Sequence, residues 1–258
     1  MVKIEVLTTA EAVAERGAKL FSLAAQESSA ARGSFTVALS GGSTPQALFE
    51  QLARQTVSSK IPWRRVHLYW VDERCVAPEH SSSNYGLARD GFIDKVPIAP
   101  ENVHRMHGED EPEQAARDYE AEILRPPARP RAHSIDVPVF DLVLLGLGTD
   151  GHTASLFPHT AAVTEQERLV VVNEANGTGP RLTMTLPVIN AARRVFFMVT
   201  GASKSGMVAE VLEGLRIPLA VPAQGVLPSA GLLTWLLDRP AARELSGPLV
   251  GSDQPETD

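Results

Sequence analysis

The feature that most limits how this chain can fold is a series of short apolar runs, at residues 35–39, 66–71, 141–147, 169–172 and 195–200, several of them separated by stretches of helical periodicity at 45–54, 82–94, 112–124 and 203–215. A strand covered on both faces reads as a continuous apolar run rather than as an alternation. Strands that alternate with helices imply βαβ units, so the expected class is α/β, with a mainly parallel sheet and helices on both faces. An opening helix is signalled by a capping box at Thr8-x-x-Glu11 followed by Val13, Leu20, Phe21 and Ala24, and it is expected to end at Gly33. The run Pro126-Pro127-Ala128-Arg129-Pro130 reads as a loop, because the same apolar patterning continues on both sides. Residues 1–245 are therefore read as one domain and 246–258 as a disordered tail.

Charge and cysteine content narrow the function classes. The chain has 258 residues, 24 Lys+Arg against 31 Asp+Glu, and a formal charge of −7. That balance argues against a broad nucleic-acid surface. It does not argue against a small anion, which responds to donors within a Debye length of about 8 Å. One cysteine, Cys75, excludes an intrachain disulfide framework and any multi-cysteine metal site. With no apolar leader at the N-terminus and no membrane-length apolar run, the expected location is the cytoplasm.

In parallel sheets the loops at the carboxyl ends of strands build the site. After the first run comes Ser40-Gly41-Gly42-Ser43-Thr44-Pro45, then a helical pattern. Paired glycines allow close backbone approach, Ser43 or Thr44 can cap the helix, and free N–H groups at a helix start bind anions. A tight turn with a good cap and no ligand fits these residues equally well. After the second run, Asp72-Glu73-Arg74 clusters charge at a strand end. This is either a solvated turn or a fixed cation, Arg74, held by its acidic neighbours for an anion or oxyanion. Cys75 reads as a packed side chain rather than a nucleophile.

The third run exits into Gly146-Leu147-Gly148-Thr149-Asp150-Gly151-His152, which presents an Asp and a His two residues apart. Such a pair suits a general base and its orienting group, although a histidine there can also serve only to tie the loop together. No HExxH or comparable ligand spacing points to a metal. Arg181 and Lys204 add two further cations near strand ends. Together with residues 40–44 they would surround a phosphate with charge and with N–H and O–H donors.

Taken in order, the segments LSGGSTP (39–45), WVDER (70–74), SNYGLAR (83–89), GLGTDGHTASLFP (146–158), RLTMTLPVIN (181–190) and VTGASK (199–204) closely resemble the 6-phosphogluconolactonase family, of the type related to glucosamine-6-phosphate deaminases and isomerases. The resemblance implies a Rossmann-like α/β fold and hydrolysis of 6-phospho-D-glucono-1,5-lactone to 6-phosphogluconate in the oxidative pentose phosphate pathway. The rival is the deaminase/isomerase branch, which follows Asp-Gly-His with Asn-Glu-Pro, its Glu completing a proton relay. Here the aligned residues are Leu156-Phe157-Pro158, and a phenylalanine cannot orient or protonate a histidine. That branch also tends to carry an aromatic where Arg74 stands. A non-catalytic sugar-phosphate sensor on the same sheet is a third reading, which the presence of both Asp150 and His152 disfavours.

The mechanism expected from these residues seats the phosphate on Ser40, Gly41, Gly42, Ser43 and Thr44 with Arg181 and Lys204. His152 is the base for water, Asp150 or a backbone group orients it, and Arg74 or loop N–H groups hold the oxyanion, with Arg74 on the phosphate as the alternative. Asp72, Glu73 and Asn84 are expected in support. The partner is a phosphorylated sugar lactone, with no nucleic acid, membrane or obligate protein partner implied, and the chemistry requires no metal or other cofactor.

Overall fold

The computed structural model describes residues 2–128, 130–131, 137–174, 177 and 179–247. The strands that matter below are β1 (Val2–Leu7), β2 (Phe35–Leu39), β3 (Val66–Trp70), β4 (Asp72–Arg74), β5 (Leu142–Leu145), β6 (Val170–Glu174), β7 (Pro180–Met184), β8 (Arg194–Val199) and β9 (Leu232–Asp238). The principal helices are α1 (Ala10–Arg32), α2 (Ser43–Ala53), α3 (Asn84–Gly91), α4 (Pro112–Ile123) and α5 (Ser205–Glu213).

Six strands form one parallel sheet in the order β1-β9-β8-β5-β2-β3. The chain leaves β2 toward β3 but leaves β5 in the opposite direction, toward β8. Right-handed crossovers then place α1 and α2 on one face and α5 on the other. The divergence opens a crevice at the carboxyl ends of β2 and β5, where ligands bind in sheets of this kind. The glycine-rich loop follows β2 and the Asp-Gly-His loop follows β5.

Apolar burial holds this arrangement. Phe21 of α1 meets Phe35 of β2 edge to face at 5.2 Å, and Phe197 of β8 stacks on Trp235 of β9 at 4.0 Å. Phe21, Phe35, Phe197 and Trp235 are all buried, and each such side chain contributes about 1.5–3 kcal/mol by leaving water. Among the described residues no helix is long and apolar enough to cross a membrane.

Three expectations are corrected. The run at 169–172 is not in the parallel sheet; it begins β6, which pairs antiparallel with β7, and β7 with β4, in a separate three-stranded sheet. An apolar run reports burial on both faces and carries no information on the direction of its neighbour. Strands β1 and β9 extend the parallel sheet beyond the anticipated runs. The first helix is capped by Thr9, which accepts the Ala12 N–H at 3.2 Å, rather than by Thr8, and ends at Gly33 in the left-handed region (φ 85°) as expected. Of the expected tail, residues 248–258 lie outside the described residues.

Candidate active site

Strand β2 delivers Ser40 to Thr44 to the crevice. Gly42, at φ 104°, adopts a conformation that side-chain-bearing residues rarely take and is itself the N-cap of α2, with no side-chain cap hydrogen bond. This corrects the expectation that Ser43 or Thr44 caps the helix. Ser43 is already its first residue, and the Thr44 hydroxyl is bonded to that of Thr200 at 3.0 Å. A helix start without a side-chain cap leaves its N–H dipoles for a ligand. Ser40 lines the cavity, but its hydroxyl donates to the Leu144 carbonyl at 2.8 Å, so it ties the β2 loop to β5 instead of offering a proton to an anion.

The short antiparallel sheet supplies the cations. Arg74 and Arg181 are directly paired across β4 and β7, which puts both side chains on one face of the short sheet, where both line the cavity. Arg74 donates through Nη1 to the Ser82 carbonyl, and the Nε atoms of both arginines are buried without a protein partner. Burial lowers the Arg181 pKa and the Arg74 charge adds to that, while Asp72 and Glu73 oppose it. Two like charges held together are stabilised when a multivalent anion joins them. Lys204, which directly precedes α5, also reaches the cavity. Its pKa is lowered by burial against the opposing pull of Asp150.

The two acidic neighbours divide their roles. Glu73 is 2% exposed and accepts the N–H groups of Arg74 (2.8 Å), Asn84 (2.7 Å) and Tyr85 (2.7 Å) and the Ser83 hydroxyl (3.1 Å). It organises the start of α3 from below the site, and burial raises its pKa despite these donors. Asp72 faces the cavity. It receives the Ser155 hydroxyl at 2.6 Å and the Asn84 amide at 3.3 Å, and Asn84 also donates to the Asp72 carbonyl at 2.9 Å. A Cβ at position 41 would lie 1.7 Å from Asn84 Oδ1, so any other residue there would displace the Asn84 side chain from its bonds to Asp72.

His152 Nδ1 lies 2.5 Å from Asp150 Oδ1, which also accepts the His152 backbone N–H at 3.2 Å. With Nδ1–H donated to the carboxylate, Nε2 is left as the basic atom. Burial tends to raise the Asp150 pKa, but the His152 charge and the hydrogen bonds outweigh it, and the carboxyl stays below its usual range. Gly148 makes room for the pair, since a Cβ there would fall 2.1 Å from His152 Nδ1 and 2.4 Å from Asp150 Oδ1.

A single cavity is thus lined by Ser40, Gly41, Gly42, Ser43, Thr44, Asp72, Arg74, Asn84, His152, Arg181 and Lys204. Asp150 braces His152, and Glu73 lies underneath. Thr153 and Thr200 line the same cavity and Ser155 anchors Asp72, and none of the three stands out in the sequence. The position of Thr200 directly after β8 was the available signal. Phe157, read only as unable to serve a histidine, packs its ring on that of His152 at 4.9 Å, so it constrains the imidazole without a hydrogen bond. Among the described residues no group of three or more His, Cys, Asp or Glu is placed to hold a metal.

A family model described as glucosamine-6-phosphate isomerases/6-phosphogluconolactonase matches residues 8–235. The chain belongs to this family. Within it, the chain is 43% identical to 6-phosphogluconolactonase of Synechocystis sp., over 94% of this chain and 98% of that one. It is 36% identical to 6-phosphogluconolactonase of Haemophilus influenzae, over 81% and 87%. A solved structure of 6-phosphogluconolactonase from Trypanosoma brucei superposes with a TM-score of 0.83 at 27% identity, covering 95% of this chain and 99% of that one. A solved monomeric glucosamine-6-phosphate deaminase, 22% identical with a TM-score of 0.78, shares the fold.

Proposed function

We propose that this member of the family is a 6-phosphogluconolactonase, hydrolysing 6-phospho-D-glucono-1,5-lactone to 6-phosphogluconate in the oxidative pentose phosphate pathway of the cytoplasm. The observation that carries this reading is the 2.5 Å Asp150–His152 contact in the same crevice as an uncapped helix start and the cations Arg74, Arg181 and Lys204. Lactone hydrolysis needs one base and an anion stabiliser, and this site offers both.

In the proposed reaction the phosphate rests on the N–H groups and hydroxyls of residues 41–44, with Arg181 and Lys204 neutralising its charge. This anchors C1 beside His152. The neutral imidazole takes a proton from water through Nε2 as the oxygen attacks C1, and Asp150 holds Nδ1–H and stabilises the imidazolium that forms. Arg74 serves the developing oxyanion; the proximity of Arg181 makes a shared role with the phosphate the second reading. As the tetrahedral intermediate collapses, the ring oxygen leaves and His152 returns the proton to it. General-base assistance contributes about 10²–10⁴-fold and one oxyanion donor about 10²–10³-fold.

The test is lactone hydrolysis measured above its spontaneous background, beside an assay for deamination of glucosamine 6-phosphate. Deamination without lactonase activity would reject the assignment. Binding of 6-phosphogluconate with neither activity would favour a sugar-phosphate sensor.

A further inference from the structure

The hydrogen bond to Asp150 does not by itself fix the imidazole. Asp150 and His152 have side chains 51% and 32% exposed, and a single Nδ1–H···O contact sets the direction of Nδ1 without setting the tilt of the ring plane. A base whose lone pair sweeps an arc is correctly aimed for only part of the time. A second contact is needed to define the ring plane, and Phe157 provides one.

The Phe157 ring centroid is 4.9 Å from that of His152 at an interplanar angle of 56°, and the Arg181 guanidinium carbon lies 5.4 Å from the same Phe157 centroid. One buried aromatic ring, 6% exposed, therefore touches both the proposed base and a proposed phosphate cation. The separation of these two groups sets whether a substrate anchored by its phosphate presents C1 to Nε2. A rigid ring is suited to hold that separation, because it has only two side-chain torsions and both neighbours pack on it.

The backbone around Phe157 is built to present it. Ala154 and His159 both have positive φ, 50° and 62°, which is uncommon for residues with a Cβ, and they bracket the ring in sequence. The segment between them is tied down. Thr160 donates to the Phe157 carbonyl through its hydroxyl at 2.8 Å and its N–H at 3.3 Å. Asn173 of β6 donates to the Ser155 carbonyl at 2.8 Å and to the Thr160 hydroxyl at 3.0 Å. Ser155 is bonded to Asp72 of β4. The loop after β5 carries both His152 and Phe157, and its Phe157 end is thus anchored to the antiparallel sheet that carries Arg74 and Arg181.

We infer that Phe157 is a positioning residue that sets the orientation of His152 and its spacing from Arg181. It takes no proton and touches no reacting atom; it acts through the base. This rests on His152 being the base, as argued above.

The experiment compares wild type, Phe157→Leu, Phe157→Tyr, His152→Ala and the double variant His152→Ala/Phe157→Leu. kcat and KM for lactone hydrolysis are measured, together with the Kd for 6-phosphogluconate. Leu keeps an apolar side chain but loses the flat ring, and Tyr restores the ring. Phe157→Leu is expected to lower kcat by about 10- to 100-fold, the range for a misaimed catalytic group. Phe157→Tyr should recover most of that loss. In the His152→Ala background the same Leu change should have no further effect on kcat, because the group it positions is gone. An equal loss in both backgrounds, or no loss in either, would overturn the inference. His152→Ala turning over at the wild-type rate would instead overturn the base assignment on which it rests. Thermal unfolding of each variant separates misfolding from misorientation: a Leu variant with a wild-type melting curve and a wild-type kcat also rejects the proposal.

Discussion

Replacing Gly148 with Ala perturbs the proposed base pair by a single methyl group. The added Cβ would sit 2.1 Å from His152 Nδ1, 2.4 Å from His152 Cε1 and 2.4 Å from Asp150 Oδ1. Ordinary contact begins at 3.4 Å, so restoring it moves the ring nitrogen back by 3.4 − 2.1 = 1.3 Å and the carboxylate by 3.4 − 2.4 = 1.0 Å. Gly148 is not among the glycines with positive φ, so the variant tests space and not backbone conformation. Both partners lie on an accessible loop and can move without opening the core, which keeps the expected stability loss below about 1 kcal/mol. The cost falls on geometry instead. A misplacement of about 1 Å in a reacting group is worth about 10²-fold, equivalent to about 2.7 kcal/mol of barrier. We therefore expect kcat for lactone hydrolysis to fall by about 10²-fold while the Kd for 6-phosphogluconate changes by less than about threefold. The assay is initial-rate proton release with the spontaneous rate subtracted, with titration calorimetry for the product. A Gly148→Ala enzyme with wild-type kcat would refute the reasoning, since the pair would then tolerate a displacement that general-base geometry does not.

Other consequences can be checked in the same way. His152→Ala should lose about 10²–10⁴-fold in turnover and retain product binding, measured by the same two assays. Arg181→Ala and Lys204→Ala should mainly weaken the phosphate contact, and an unchanged preference for phosphorylated over unphosphorylated lactone would reject the cradle. Glu73→Gln removes a buried charge but also turns one carboxylate oxygen into an NH2 donor, so that either the Arg74 and Asn84 N–H groups or the Tyr85 N–H and Ser83 hydroxyl lose their acceptor; it should lower stability by about 1–3 kcal/mol in denaturant melts. Because the folded-state pKa of Asp150 is depressed, its contribution to stability is present above about pH 3.8 and is lost as pH falls through the folded value. The stability gap between wild type and Asp150→Asn should close over that acid range; the carboxyl is half exposed, so the gap should stay below about 1 kcal/mol.

The residues proposed for the chemistry stood out in the sequence because each lies at or shortly after the end of a strand. Residues 40–44, Arg74, Asp150, His152 and Lys204 stand at strand exits, and a parallel sheet brings its carboxyl ends to one side. Phe157 and Thr200 were harder to read because their contacts, Phe157 with Arg181 of β7 and Thr200 with Thr44, join segments distant in the chain. Glu73 was visible as a charge, but only its buried hydrogen bonds identify it as a brace for α3 rather than a ligand.

The amino-acid sequence carried the α/β class, most of the strand positions and the candidate residues of the site, because hydrophobic period and strand-exit residues are local properties. It took the folded chain to show that the run at 169–172 belongs to a separate antiparallel sheet, and that this sheet pairs Arg74 with Arg181. The fold also shows that the Ser40 hydroxyl is consumed by Leu144 and that Phe157 lies against both His152 and Arg181. Strand direction, hydrogen-bond partners and side-chain spacing are set by segments distant in the chain, and no local pattern encodes them.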